Sequence, residues 1–418
     1  MNARTALIYA DLGGGTVRAG TLWSAERPGR ASFTFQYDDA WTGGTRGFEL
    51  DPDLLLVPGR KVAAPYLFGG LADSAPDRWG RTLLARAERL HARQEGRPPR
   101  TLSEMDYLLG VSDLTRSGAL RFRASEDGPF LAEPGEQDVP PLLELPRLLA
   151  AAQGFLDDPE GEDDLKLLLA PGSSLGGARP KASVRAGDGR LAIAKFPRTD
   201  DSYSISTWEH LTLEMARDSG IPVAASELLQ IEGRAVILLR RFDRTRGTRI
   251  PMISAIALTG GRPEEAHGYL EIAEVIQRFG ARPRQGLKDL WRRMVFTVLV
   301  SNTDDHMRNH AFLREGPGWV LSPAYDINPT PGEIKPRVLA TALGEDYHAT
   351  SASLEIALAA APYFDLDEAD AWRIIQEVAA VTRTWLDRAR AAGCPTGECD
   401  MMASAFEHED LALALGGS

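Results

Sequence analysis

Lysine is scarce in this chain. Six lysines stand among 47 basic residues, so 47 − 6 leaves 41 arginines in 418 residues. Cysteine is scarcer still: Cys394 and Cys399 are the 2 present, too few for a disulfide framework. Positive charge does not dominate either. Lys+Arg 47 against Asp+Glu 59 leaves a net charge of −12, which argues against a stand-alone nucleic-acid binder. No apolar run approaches the roughly 18 residues of a membrane span. The N-terminal run Thr5–Ala10 stops at Asp11, too short for a signal-peptide core. These absences lead to the expectation of a soluble protein of a reducing cytoplasm, with no membrane contact. At 43% hydrophobic and 25% charged, the chain reads as globular and long enough for two or three domains.

Along the chain, strand patterns come first. Thr5–Ala10 and Val17–Trp23 flank a Gly13-Gly14-Gly15 turn, and Ala31–Tyr37 alternates with Phe33, Phe35 and Tyr37 on one face. Asp77–Arg93 is helical in period, with Leu83, Leu84, Ala87 and Leu90 on one side. Its other side carries Arg78, Arg81, Arg86, Arg89 and Arg93, read as a solvated face. Residues 124–141 read as a linker, and a short helical stretch and the acidic patch Asp157–Asp164 follow. Strands are expected at Lys181–Ala186, Leu191–Phe196 and Ala235–Leu239, with a helix at Ser204–Ser219 stopped by Gly220 and Pro222. After about residue 250 the patterns are mostly helical: Tyr269–Phe279, Leu287–Val300, Ser353–Ala361 and Asp367–Ala392. A strand-rich half before a helical half predicts an α+β protein rather than a doubly wound sheet.

The densest chemistry is Ser301-Asn302-Thr303-Asp304-Asp305-His306-Met307-Arg308-Asn309-His310, emerging from the end of an apolar helix. A further acid, Asp326, lies between apolar neighbours in Ala324-Tyr325-Asp326-Ile327. Phosphoryl transfer needs such a set: one carboxylate for the acceptor hydroxyl, with an Asn and another Asp to hold magnesium on the phosphates. Asp304 followed five residues later by Asn309 has the spacing of a protein-kinase catalytic loop. Upstream, Gly172–Ala178 is a glycine-rich loop that would let backbone N–H groups approach phosphate oxygens. Lys195 ends the strand Ala-Ile-Ala-Lys, similar to the kinase strand whose lysine binds the α- and β-phosphates. An arginine-loving chain keeps Lys at 181 and 195, as a site built for a compact ammonium would require. Glu209, on the next helix, is the natural partner for Lys195.

Several segments together resemble the HipA family of serine/threonine kinase toxins: Ser174–Lys181, Ala194–Pro197, Arg241-Phe242-Asp243-Arg244, Asn302–Phe312 and Tyr325-Asp326. Phe68–Asp77 is similar to that family's N-terminal region, so the resemblance spans nearly the whole chain. It implies a two-lobed protein-kinase-like fold with an additional N-terminal β-rich domain, divided as 1–137, 138–250 (strand-rich lobe) and 251–418 (helical lobe). It further implies an ATP- and Mg²⁺-dependent kinase acting as the toxin of a type II toxin–antitoxin pair. By motif position Asp304 would be the base, Asn309 and Asp326 the metal ligands, with Arg308 and His306 beside them. Arg308 stands where the family usually has Lys, and His306 reads as a histidine bracing the loop. Ser174, Leu175, Gly176, Gly177, Ala178, Lys181, Lys195 and Glu209 would surround ATP, and the backbone near Arg241 and Phe242 would meet adenine. Ser174 matches the family's autophosphorylated serine. The implied partners are a small HipB-like helix-turn-helix antitoxin in a heterotetramer, DNA only through that antitoxin, and a protein substrate such as an aminoacyl-tRNA synthetase.

Two rival readings stand beside this one. Asp11-Leu12-Gly13-Gly14-Gly15-Thr16-Val17-Arg18 resembles the first phosphate motif of actin-like sugar kinases, but the further motifs of that fold are not found downstream and a tight hairpin is the favoured reading. The other is an inactive kinase-like module that binds an antitoxin.

Overall fold

A computed structural model of the chain describes residues 2–27, 30–131, 139–157, 162–169, 177–245 and 247–416. The N-terminal part runs β1 (Asn2–Asp11), β2 (Thr16–Arg27) and β3 (Arg30–Tyr37). One-turn helix α1 (Asp39–Thr42), β4 (Arg60–Ala63) and one-turn helix α2 (Gly69–Ala72) lead to α3 (Arg78–Gln94), α4 (Glu104–Gly110) and β5 (Leu120–Arg123). Then come α5 (Leu145–Asp157), α6 (Glu162–Leu169), β6 (Lys181–Arg185), β7 (Leu191–Lys195), α7 (Ile205–Asp218), β8 (Ser226–Ile231) and β9 (Arg234–Arg240). The short strands β10 (Arg244–Thr245), β11 (Thr248–Arg249) and β12 (Met252–Ser254) precede α8 (Ala255–Leu258), α9 (Tyr269–Phe279) and α10 (Pro283–Leu299). The hairpin β13 (Ala311–Glu315) and β14 (Gly318–Leu321) is followed by α11 (Leu354–Ala360), α12 (Glu368–Thr382), α13 (Trp385–Ala391), α14 (Thr396–Phe406) and α15 (Glu409–Ala414).

Contacts divide the chain into two compact units, Met1–Asp200 with Leu229–Ile253, and Asp201–Leu228 with Ser254–Ser418. The first holds a five-stranded sheet in the order β4-β3-β2-β1-β5. Its β2–β3 register alternates, and Phe33, Phe35 and Tyr37 are buried on one face as their spacing predicts. Its second sheet pairs β6, β7 and β9 antiparallel, with β8 beyond β9. Ala182, Val184, Ala192, Ala194, Val236 and Leu238 on one face of this sheet form a core with α3, α5 and α6, which contribute Trp79, Leu83, Leu148, Phe155, Leu165 and Leu168. Period-2 alternation therefore puts Lys181 and Lys195 on the opposite face. Helix α6 was hidden in the sequence behind the acidic run. Glu162, Asp163 and Asp164 occupy its first turn, where carboxylates favour the positive end of a helix.

The second unit is built around α10, whose Leu290, Trp291, Met294, Val295, Phe296, Val298 and Leu299 are all buried. Helix α7 belongs here. Trp208 lies 6.2 Å from Trp385 and 6.1 Å from Phe406, and its indole N–H donates to Glu398 at 2.6 Å. Asp367–Ala392, expected as one helix, is two: the chain turns at Arg383–Thr384, and Trp385 stacks flat on Phe406 at 4.9 Å. The hairpin β13–β14 is a strand pair inside the half expected to be helical, and it pairs Phe312 with Leu321 and Leu313 with Val320.

Candidate active site

Helix α10 delivers the polar cluster, and its end is heavily tied down. Carbonyls of the last helical turn lack partners within the helix. Here Thr297 C=O accepts the Asn302 N–H at 3.0 Å, Val298 C=O accepts Arg337 at 3.0 Å, and Leu299 C=O accepts His408 Nε2–H at 3.1 Å. Ser301, at φ +51°, turns the chain through the left-handed region while fully buried. Its hydroxyl donates to Ala405 C=O at 2.7 Å and accepts from Arg337 Nε at 3.0 Å.

The two adjacent acids then part company. Asp304 is exposed, whereas Asp305 is buried. The Asp305 carboxylate accepts from the Tyr269 hydroxyl of α9, from Thr297 Oγ1 of α10 at 3.3 Å and from His310 Nε2 at 3.1 Å. Its own carbonyl accepts Thr341 Oγ1 at 2.6 Å. Burial alone would raise the Asp305 pKa, but the charge and hydrogen bond of His310, the Tyr269 hydroxyl and the nearby His306 bring it below the usual carboxylate value. Burial beside that carboxylate drives the Tyr269 phenol well above its ordinary value.

Above this base the loop closes on itself. Asp304 C=O accepts the His306 N–H at 2.8 Å and the Asn309 side-chain amide at 3.1 Å. Asn309 is buried, while Arg308 is exposed and its carbonyl accepts the Tyr325 hydroxyl at 2.7 Å. Asp326 is half-buried at φ +58°, a conformation uncommon for a residue other than glycine and often found where a side chain is aimed at a ligand. Its carboxylate meets Asn328 Nδ2 at 3.5 Å, and the Asn328 N–H donates to buried Asn302 at 3.3 Å. Thr330 N–H donates to Ser301 C=O at 3.0 Å, so the segment carrying Asp326 is docked on the root of the Asp304 loop.

The bracing role read into His306 falls to His310. His306 is exposed, whereas His310 is buried against Asp305 and packs edge-on to Tyr269 at 5.3 Å. Tyr269 and Asn328 escaped the sequence reading as site residues, and Asn302 and His310 were seen in the cluster without a role. Tyr269 precedes Asp305 by 36 residues, and no local pattern joins them.

In the first unit, β6 and β7 set Lys181 directly opposite Lys195. Lys181 is buried with its ammonium 3.3 Å from Asp77, and Lys195 is half-buried. Gly177 and Ala178 are exposed, with Gly177 at φ +92°. Ser174, Leu175 and Gly176 lie outside the described residues. The Arg241 side chain belongs to a buried framework: it pairs with Asp243 and donates to Thr115 C=O at 2.6 Å and Arg116 C=O at 3.2 Å. Its guanidinium is therefore committed, and what it can offer a ligand is the backbone beside half-buried Phe242. Glu209 is buried on α7, in the second unit. Among the described residues no helix is long and apolar enough to cross a membrane.

Asp11 sits in a different setting. It ends β1, its carboxylate accepts the Gly13 N–H at 3.3 Å, and Asp11 pairs with Thr16 across a hairpin whose Gly13 and Gly15 have φ +71° and +127°. This is the tight hairpin that needs no ligand.

Known proteins are similar to this chain over much of its length. "Putative kinase Y4mE" of Sinorhizobium fredii is 25% identical over 324 residues, covering 70% of this chain and 71% of its own length. "Toxin YjjJ" of Escherichia coli K12 is 27% identical over 176 residues, 38% of each chain. A chain of the Shewanella oneidensis MR-1 toxin–antitoxin complex of HipA, HipB and operator DNA superposes with a TM-score of 0.65 at 15% identity. That superposition covers 98% of this chain and 96% of the other, and it establishes the two-lobed, kinase-like mixed α and β fold. Residues 173–385 match the family described as the HipA-like C-terminal domain, and the chain belongs to the HipA-like family.

Proposed function

We propose that this protein is an ATP- and Mg²⁺-dependent serine/threonine protein kinase and the toxin of a type II toxin–antitoxin pair. The observation that carries the reading is the split of the acid pair. Asp304 is exposed on a loop whose Asn309 amide is fastened to the Asp304 carbonyl, while Asp305 beneath it is buried. Names of relatives, a kinase and a toxin, support it.

In this reading Asp304 accepts the proton of the substrate hydroxyl as that oxygen bonds to the γ-phosphorus, and the bond to the β-phosphate oxygen breaks to release ADP. Asn309 and Asp326 are the metal ligands. The donor set fits magnesium: Asn309 spends its N–H on Asp304 C=O, which leaves its amide oxygen, and Asp326 adds a hard carboxylate oxygen. When bound, the ion neutralises charge on the transferring phosphoryl group. Lys195 serves the phosphates, and Ser174 is the expected site of self-phosphorylation. The partner is a HipB-like antitoxin, the solution compartment is the cytoplasm, and the substrate is a protein hydroxyl, such as one on an aminoacyl-tRNA synthetase.

The test is transfer of ³²P from ATP with Mg²⁺ to the protein itself and to a lysate, comparing wild type with Asp304→Ala. Label in the wild type alone supports the reading. Equal label, or none in either, removes it in favour of a binding module.

A further inference from the structure

We propose that the start of helix α3 anchors the exit of the glycine-rich segment, making Asp77 and Trp79 positioning residues for nucleotide binding. The functional half rests on the kinase reading above; the anchor itself stands on contacts within the first unit.

Lys181 and Lys195 are directly opposed on one face of β6 and β7, an arrangement in which like charges repel. Lys181 is also buried, where an uncompensated ammonium is costly. Asp77 answers both problems. One carboxylate oxygen lies 3.3 Å from the Lys181 ammonium, while the other accepts the Gly80 N–H at 3.0 Å as the N-cap of α3. Two residues on, Trp79 makes two further ties. Its backbone N–H donates to Gly177 C=O at 3.2 Å, and its indole N–H donates to Lys181 C=O at 3.1 Å. The indole ring is seated in the core, edge-on to Phe155 at 5.5 Å. Gly177 takes φ +92°, which a side chain would resist, so the chain leaves the loop through a hinge pinned on α3.

Residues 177–181 are thus held by a segment about one hundred positions earlier in the chain. A glycine-rich backbone binds phosphate only if its N–H groups are held in place, because an unrestrained one loses conformational entropy on binding. Lys181, with Asp77 beside it, holds the strand, and Lys195 is the cation assigned to the phosphates. This gives the Phe68–Asp77 motif and α3 a task that their position before the kinase motifs did not suggest.

The experiment uses the full-length protein as wild type, Asp77→Asn and Trp79→Phe. Asparagine still caps a helix but carries no charge, and phenylalanine keeps a ring without an indole N–H. Binding of a fluorescent ATP analogue with Mg²⁺ is measured alongside amide hydrogen exchange over residues 177–185 and the kcat and KM of ³²P transfer. Each variant is expected to exchange faster in this stretch, to bind nucleotide about tenfold more weakly, and to raise KM for ATP with kcat within about twofold. Tighter nucleotide binding by Asp77→Asn would overturn the proposal, since Asp77 would then be a competitor of phosphate for Lys181. Unchanged exchange in both variants would also overturn it. Wild type that binds no nucleotide, with faster exchange in the variants, would sink the kinase reading and support the anchor.

Discussion

Two turns in this chain place an aspartate where a phosphate motif is expected, and they are built in different ways. The turn after β1 is closed mainly by its own hairpin: Asp11 accepts from Gly13 and glycines supply the left-handed conformations, while its far partners are Ala119 C=O, which accepts the Asp11 N–H at 2.9 Å, and Arg249, 4.0 Å from its carboxylate. The turn after α10 rests largely on residues from far away in the chain, with Thr297 and His310 as nearer braces. Asp305 is held by Tyr269 and Thr297, Ser301 by Ala405 and Arg337, and Leu299 by His408. A self-sufficient turn needs few tertiary partners and presents no fixed group to a ligand. A turn braced from below can hold one exposed carboxylate still, and a positioned general base requires that.

The largest effect that would sharpen this contrast is on chemistry. Asp304→Ala should lower the rate of ³²P transfer by about 10²–10⁴-fold, the range for losing a general base. Urea unfolding of that variant should stay close to wild type, because Asp304 is exposed.

Stability carries the next effect. Asp305→Asn removes the charge facing His310 and Tyr269, and breaking such a buried set should cost about 3 kcal/mol in urea unfolding. Transfer should also fall although Asp304 is intact. A variant as stable and as active as wild type would show that the loop needs no more support than the Asp11 hairpin.

A smaller, pH-dependent effect comes from His408, which joins the end of α10 to α15. Its Nδ1 accepts the Leu411 N–H at 3.3 Å. Burial first, and then the positive charge of Arg337, push its pKa down to about 4. As pH falls below the ordinary value of 6.5, the unfolded chain takes up a proton that the folded one refuses, so stability drops between pH 6.5 and 4. At pH 5 the loss should be about 2 kcal/mol relative to pH 7. Wild type and His408→Asn compared by urea unfolding at both pH values isolate it, since the variant lacks this titration and should lose less.

The smallest effect is the one expected at the other turn. Asp11→Ala should leave ³²P transfer unchanged and lower stability by about 1 kcal/mol or less. Loss of transfer in that variant would reverse the comparison and revive the sugar-kinase reading of Asp11–Arg18.

Much of this protein was legible as a sequence wherever a short period or a fixed spacing carried the information. Phe33, Phe35 and Tyr37 announced a buried strand face, Tyr269–Phe279 announced a helix with the bounds it has, and the spacing of Asp304, Asn309 and Asp326 raised the expectation of a phosphoryl-transfer set. Long-range partnerships were not legible. Glutamate 398 has no local feature that joins it to Trp208, and nothing near Lys181 points to Asp77, 104 residues away. His306 looked like the brace because it stands next to the acids. His310 is the brace because the chain turns it inward against Tyr269.

The sequence by itself therefore determined composition, local periodicity and the spacing of residue types that a phosphoryl-transfer site would need, because those depend on neighbours within a few positions. Only the tertiary structure decided that Asp305 goes in and Asp304 out. Adjacent side chains on a turn point different ways, and the inward one is chosen by the hydrogen-bond partners that α9, α10 and His310 bring to it.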